Sequence, residues 1–136
     1  MRPPMSLAVV GVGFDNKTGP ARLFELALCT PGEPVDLVPE PKNPADENAI
    51  AVFSCRGIQI GYIPSQRAPL IVSLMKRGAD IVAIFQEKTE WGAAVRVTFD
   101  GSPPVLPAPH AVNEQPEQIE VAEEQDFWPD YIPPDD

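Results

Sequence analysis

Short apolar runs separated by polar turns recur along most of the chain before Ser102. The clearest pair flanks a turn at 54–57: residues 49–53 are all apolar, and apolar residues alternate with polar or small ones through 58–62. Alternation sends successive side chains to opposite faces of a strand. The pattern therefore predicts a two-stranded hairpin.

Five further stretches carry strand-like apolar patterns: 5–14, 22–28, 35–40, 80–86 and 93–99, the last two joined by a polar turn at 87–92. The stretch 22–28 fits neither the strand period nor the helical period cleanly. A short helix is the alternative there, and we favour a strand.

The period changes after Pro64, where a helix is predicted. One apolar face at helical spacing is formed by Leu70, Ile71, Leu74 and Met75. Ser65 suits the N-cap, and Gly78 suits the position just beyond the last turn. The sequence thus predicts one α-helix around residues 65–77.

Six or seven short strands with one helix are typical of a mainly β domain, a small β-barrel or sandwich. After Ser102 the composition shifts, because residues 103–136 hold 8 of the 18 prolines. We therefore predict a folded domain over 1–102 and a Pro-rich, acidic, disordered tail over 103–136.

The net charge of −10 is unevenly distributed along the chain. Residues 1–112 contain all 10 Lys and Arg against 11 Asp and Glu, whereas residues 113–136 contain 9 acidic residues and no Lys or Arg. The folded part is therefore nearly neutral, and its charge does not argue against binding nucleic acid.

Several classes of protein are excluded by what the sequence lacks. No apolar run approaches the roughly 18 residues that span a bilayer, and no signal-type segment follows Met1, so we expect a soluble cytoplasmic protein. Cys29 and Cys55 lie in apolar surroundings and are expected to be buried free thiols. With His110 alone in a Pro-rich segment, we expect no metal site, no cofactor and no catalytic triad.

Two motifs give the chain a family resemblance. The run Asn-Pro-Ala-Asp-Glu-Asn-Ala-Ile-Ala-Val at 43–52, followed after a Gly turn by Ile-Gly-Tyr-Ile-Pro at 60–64, resembles the core of the HIRAN domain, and 9–12 resembles its opening strand. The resemblance extends from about residue 7 to 101. It implies a small OB-like or SH3-like β-barrel.

The resemblance also implies a function, since HIRAN domains accept the 3′ end of a DNA strand. Asp46 falls on the carboxylate that bonds the terminal 3′-hydroxyl, Phe14 and Trp91 fall on stacking positions, and Tyr62 falls where a DNA contact occurs in some members. From the residues alone, Asp46 can equally cap the turn at 43–48, the two stacking aromatics can pack in the core, and Tyr62 can be a half-buried strand residue.

The chain departs from the DNA-binding pattern at three positions. Gly13 and Asp15 stand where the family has an Arg and a second aromatic, and Ser65 stands where a Lys can contact phosphate. Cations on neighbouring loops could compensate: Lys17, Lys42, Arg67 and Lys88. We therefore expect weak, strongly salt-dependent binding of single-stranded DNA.

The end of the chain concentrates aromatic residues among acids: Phe127, Trp128 and Tyr131. This segment resembles the acidic tip of bacterial single-stranded DNA-binding proteins, which recruits other proteins. Alternatively it lies in the DNA groove of its own domain, or it only solubilises the chain.

Together these observations predict a non-catalytic module that binds single-stranded DNA ends in DNA repair or replication. The alternative is a protein-interaction adaptor whose domain no longer binds DNA and whose tail recruits a partner. The sequence makes no prediction about oligomeric state.

Overall fold

The computed structural model describes residues 2–107, so most of the predicted tail lies outside the described part of the chain. In order, the elements are β1 (Met5–Val9), α1 (Arg22–Leu28), β2 (Pro34–Pro39), β3 (Ile50–Phe53), β4 (Gln59–Tyr62), α2 (Ala68–Lys76), β5 (Val82–Thr89) and β6 (Gly92–Thr98).

All six strands pair antiparallel in one sheet, in the order β1-β6-β5-β2-β3-β4. The sheet and the helices enclose a core built from apolar side chains: Leu7, Leu26, Val35, Val52, Ile60, Ile71, Phe85 and Val97. The mainly β class and the predicted strand count are confirmed.

The two edges of the sheet meet just beyond β1. Val10 and Tyr62 exchange two backbone hydrogen bonds, of 2.9 and 2.8 Å. Gly61 allows this approach, because a Cβ there would lie 2.5 Å from the carbonyl oxygen of Val10. One isolated bridge, not a continuous ladder, joins the edges. The curled sheet is therefore not the closed barrel that we expected.

The predicted strand at 22–28 was wrong, since these residues form α1. The side chains that face inward follow the helical spacing i, i+3, i+4 and i+7: Arg22, Glu25, Leu26 and Cys29. Two of those four are charged. The buried face is therefore not apolar, and hydrophobic periodicity alone could not reveal the helix.

A buried carboxylate holds α1 against the β3–β4 turn. Glu25 is 2% exposed and accepts hydrogen bonds from Ser54 Oγ at 2.7 Å and from Arg56 Nε. Arg56 also pairs with Glu33 at 3.5 Å. These contacts add to the apolar packing of Leu26 in the core.

Several boundaries differ from the prediction. β1 ends at Val9 because a turn with Gly11 at φ +74° diverts the chain, and α2 begins at Ala68. Pro64, not a Ser65 side chain, completes its start: the Pro64 carbonyl accepts the Arg67 and Ala68 N–H groups. The turn before β6 is shorter than the predicted turn at 87–92, because β5 continues to Thr89.

One cysteine was also predicted wrongly. Cys29 is buried, and burial raises the pKa of its thiol, but Cys55 is exposed in the β3–β4 turn. Within residues 2–107, no helix is long and apolar enough to cross a membrane.

Candidate functional site

An open groove lies where the 10–21 loop, the start of α1, the 40–49 loop and the end of β4 meet. Its larger half has a volume of about 970 Å³ and its smaller half about 540 Å³. Arg22, Asn43 and Tyr62 line both halves. The Val10–Tyr62 bridge brings the two loops together, so the closure of the sheet also forms the groove.

Arg22 is the cation at the floor of this groove. Its side chain enters from the first turn of α1, is 8% exposed, and donates from Nε to Asn16 Oδ1 and from Nη1 to the Gly11 carbonyl, both at 2.9 Å. The guanidinium lies over the Tyr62 ring, 5.5 Å from its centroid. Sequence reasoning missed this residue, because 22–28 was assigned to a strand.

The charge of Arg22 is not matched by the protein around it. Within residues 2–107 no carboxylate forms an ion pair with Arg22, and Nη2 has no hydrogen-bond partner. A buried cation held only by neutral groups is costly to desolvate. The arrangement favours an anion such as a phosphate, which would complete the guanidinium.

Two aromatic side chains stand beside Arg22. A Cβ atom added to Gly11 would lie 3.6 Å from Arg22 Nη1, 3.8 Å from Phe14 Cδ2 and 4.0 Å from Tyr62 Cδ2. The two rings and the guanidinium therefore surround the same point. Phe14 is 62% exposed, so core packing does not account for it. An exposed ring next to a guanidinium is suited to stack on a nucleobase while the cation holds the adjoining phosphate.

Tyr62 is tied to the opposite loop. Its hydroxyl donates to Glu40 Oε1 at 2.8 Å, and Asn43 Nδ2 donates to the same oxygen at 2.9 Å. Burial, and then the hydrogen bond to Glu40, raise the pKa of the Tyr62 phenol above its ordinary value. The ring is therefore fixed in place and uncharged at neutral pH.

Asp46 has a structural role and a remaining acceptor. Its Oδ1 accepts the Asn48 N–H at 2.8 Å, which is the turn-capping role, and the preceding turn is held by Asn43 Oδ1, which accepts the Ala45 N–H at 2.8 Å. Among residues 2–107, Oδ2 has no hydrogen-bond partner. Asp46 lines the smaller half with Phe14 and Tyr62, so the same carboxylate can cap the turn and accept a hydroxyl.

The groove carries nearly balanced charge. Lys17 and Lys42 line its larger half with Arg22, but so do the carboxylates of Asp15 and Glu40. Of the three lysines predicted to compensate, Lys17 and Lys42 line the groove and Lys88 does not. The opposing carboxylates weaken the field that would attract a polyanion.

Trp91 and Arg67 lie apart from the groove. Trp91 lines a depression of about 270 Å³ with Val12, Leu23 and Lys88, on the α1 side of the 10–14 loop. Arg67 precedes α2 next to Gln66, which lines the smaller half, but its own side chain lines neither half. Of the seven residues predicted to contact DNA, five therefore line the groove: Phe14, Lys17, Lys42, Asp46 and Tyr62.

Two other predictions concern the aromatic residues near the end of the chain and the binding of a metal ion. Phe127, Trp128 and Tyr131 lie outside the described residues. Within residues 2–107, no group of three or more His, Cys, Asp or Glu side chains could hold a metal ion.

Comparisons with known proteins agree with this fold. A family model described as the HIRAN domain matches residues 8–102, and HIRAN domains are known as nucleic-acid-binding modules. The crystal structure of the HIRAN domain of human HLTF is 23% identical, with a TM-score of 0.57 over 71% of this chain and 74% of that chain.

A crystal structure of a protein from Lactobacillus plantarum is 22% identical, with a TM-score of 0.57 over 70% of this chain and 95% of that chain. At these identities the likeness establishes the fold alone. A search of curated protein sequences found no match.

Proposed function

The chain belongs to the HIRAN domain family, and on that basis we propose that it is a non-catalytic module that binds the 3′ ends of single-stranded DNA in a repair or replication context. The observation that carries the proposal is the convergence of Phe14, Tyr62 and the unpaired Arg22 guanidinium in one groove.

Each residue has a distinct part in this binding mode. A terminal base stacks on Phe14, an interaction worth about 1–3 kcal/mol per base that tolerates any sequence. Arg22 Nη2 donates to a phosphate oxygen, and Asp46 Oδ2 accepts the terminal 3′-hydroxyl. A 3′-phosphate would meet the Asp46 carboxylate instead, and like charges repel.

The affinity is expected to be modest. Gly13 and Asp15 remove one cation and one ring from the family pattern, and Arg22, Lys17 and Lys42 are the cations that line the groove. Neutralising about three phosphates on a single strand gives a slope of roughly −2 for log affinity against log salt. Binding should therefore weaken steeply as salt is added.

We test this by fluorescence anisotropy with a short labelled strand whose 3′ end is a hydroxyl or a phosphate. We expect the hydroxyl form to bind tighter by roughly tenfold, and Phe14→Ala to weaken it by about tenfold or more. Asp46→Asn keeps an oxygen for the Asn48 N–H and should remove the preference for the hydroxyl end.

The matched control is Phe24→Ala. Phe24 has the same 62% exposure as Phe14 but lies on α1 and does not line the groove. Its variant should bind DNA normally. Equal losses for the two Phe variants, or no binding by the unmodified chain at low salt, would contradict the proposal and favour the adaptor alternative.

A further inference from the structure

Helix α1 is inverted relative to an ordinary surface helix. Its charged residues Arg22 and Glu25 are buried, whereas Leu23, Phe24 and Leu28 are 56%, 62% and 49% exposed. A surface helix normally buries its apolar side and presents its charges to water. Clustered exposed apolar side chains mark interaction surfaces more often than isolated ones do.

The inverted orientation is fixed by polar contacts. Arg22 is held to Asn16 and to the Gly11 carbonyl, and Glu25 is held to Ser54 and Arg56. Rotating the helix to bury Phe24 would break all of these bonds and expose the core residue Leu26. The apolar side therefore stays outward unless something covers it.

This apolar side continues into the depression beside it. Leu23 and Ala27 line the depression of about 270 Å³ together with Val12 and Trp91, and Lys88 and Glu90 line it as well. We call the combined surface the α1 face, formed by Val12, Leu23, Phe24, Ala27, Leu28 and Trp91. It offers an apolar strip, an aromatic ring, and one cation, Lys88, near one carboxylate, Glu90.

We propose that the α1 face binds the C-terminal segment 126–132 of the same chain. That segment, Asp-Phe-Trp-Pro-Asp-Tyr-Ile, places three aromatics and an isoleucine beside acids in an otherwise polar, acidic stretch. The aromatics suit the apolar strip and the Trp91 ring. An acid at 126 or 130 suits Lys88.

The DNA groove is a poorer site for this segment. The groove sets the carboxylates of Asp15, Glu40 and Asp46 against its cations Arg22, Lys17 and Lys42, so its nearly balanced charge does not select an acidic segment. It also lacks an apolar strip long enough for several aromatic side chains, since Phe14 is its exposed apolar ring. The α1 face therefore accepts the segment and leaves the groove open to DNA.

The connection is long enough to reach. The chain after β6 is held near its start, where Thr98 Oγ1 donates to the Ser102 carbonyl at 2.6 Å. Trp91 lies at the opposite end of β6, about 20 Å away for a seven-residue strand. Residues 108–127 can extend to roughly 65–70 Å. Tethering gives an effective concentration of about a millimolar, so even a weak contact is populated.

The test uses the full chain labelled with 5-fluorotryptophan, which gives two fluorine resonances, for Trp91 and Trp128, assigned with Trp128→Phe. We expect the Trp128 resonance to be displaced from its position in a peptide of residues 120–136. In Phe24→Asp it should return to the peptide position, whereas Phe14→Ala, altered at an equally exposed Phe in the groove, should leave it displaced.

A reciprocal variant keeps the proposal falsifiable if Phe24→Asp fails to fold. Replacing Phe127 and Tyr131 by Ser leaves the folded domain unaltered and should shift the Trp91 resonance. A Trp128 resonance at the peptide position in the unmodified chain would overturn the proposal. So would a displacement lost on roughly hundredfold dilution, because an intramolecular contact is independent of concentration. DNA binding plays no part in either readout.

Discussion

Arg22 shows how one side chain can both build a site and serve it. Its Nε and Nη1 hydrogens bond Asn16 and the Gly11 carbonyl in the loop before α1, and its side chain lines the groove that this loop helps to form. The desolvation of a buried cation is only partly offset by an amide oxygen, a carbonyl and the face of an aromatic ring. A phosphate would supply the missing counter-charge.

Tyr62 is the residue whose ionisation should be visible in stability. Because burial and Glu40 raise its pKa in the folded state, the folded chain keeps the phenol proton at a pH where the unfolded chain has lost it. This contribution to the free energy of unfolding is complete below about pH 10, the unfolded value, and is lost as the pH rises through the higher folded pKa.

We therefore expect urea unfolding to show stability falling as the pH rises above about 10, and falling less in Tyr62→Phe. At neutral pH the variant should lose about 1 kcal/mol, the worth of the hydrogen bond to Glu40. Lysines and Tyr131 titrate in both proteins, so the difference between the two curves isolates Tyr62. Parallel curves would contradict the prediction.

At the level of elements, α1 depends on one buried carboxylate. A seven-residue helix is too short to be stable by itself, and Glu25 ties it to Ser54 and Arg56 across the β3–β4 turn. The helix in turn positions Arg22. The polar anchor of α1 therefore also affects the groove that Arg22 lines.

Glu25→Gln should lower the free energy of unfolding by about 1–3 kcal/mol, because the amide keeps the shape but removes the charge that Ser54 and Arg56 bond. It should also weaken DNA binding modestly, through the position of Arg22. Thermal unfolding and anisotropy measure the two effects. The control is Glu87→Gln, at an exposed position of β5, which should change neither. Equal stability of both variants would show that Glu25 is not an anchor.

The sequence predicted strands well and α1 poorly, for the same physical reason. The β3–β4 hairpin and β6 bury apolar side chains at regular spacing, so their pattern is visible. The inward face of α1 is half charged, and its anchors, Ser54 and Arg56, lie about 30 positions along the chain. Only the folded structure shows that such residues are neighbours.

The sequence likewise predicted some of the residues that line the candidate site and not others. Phe14, Asp46 and Tyr62 lie on segments that the Val10–Tyr62 bridge joins, and the structure brings them together. Trp91 lies elsewhere: the chain turns at Gly11 and does not continue β1, and Val12 lines the depression with Trp91 whereas Phe14 lines the groove. That turn depends on a positive φ at one glycine, which the apolar pattern around it does not reveal.

For the whole molecule, the net charge is concentrated in the last part of the chain. The nine acidic residues beyond Val112 carry almost all of the net charge of −10. A polyanion approaching the groove meets a nearly neutral domain attached to a negative segment. The segment should therefore oppose DNA binding from a distance, whether or not its aromatic residues bind the α1 face.

Replacing those nine acidic residues by their amides should raise affinity for a single strand by about three- to tenfold at low salt. The gain should disappear as ionic strength approaches about 1 M, where the screening length falls to roughly 3 Å. Anisotropy titrations of the full-length proteins across salt concentrations measure both. The matched control keeps every acid and replaces Phe127, Trp128 and Tyr131 by Ser, and it should bind DNA as the unmodified chain does. If that control gained as much affinity as the amide variant, the aromatic segment would be occupying the DNA groove, and the α1 face would not be its site.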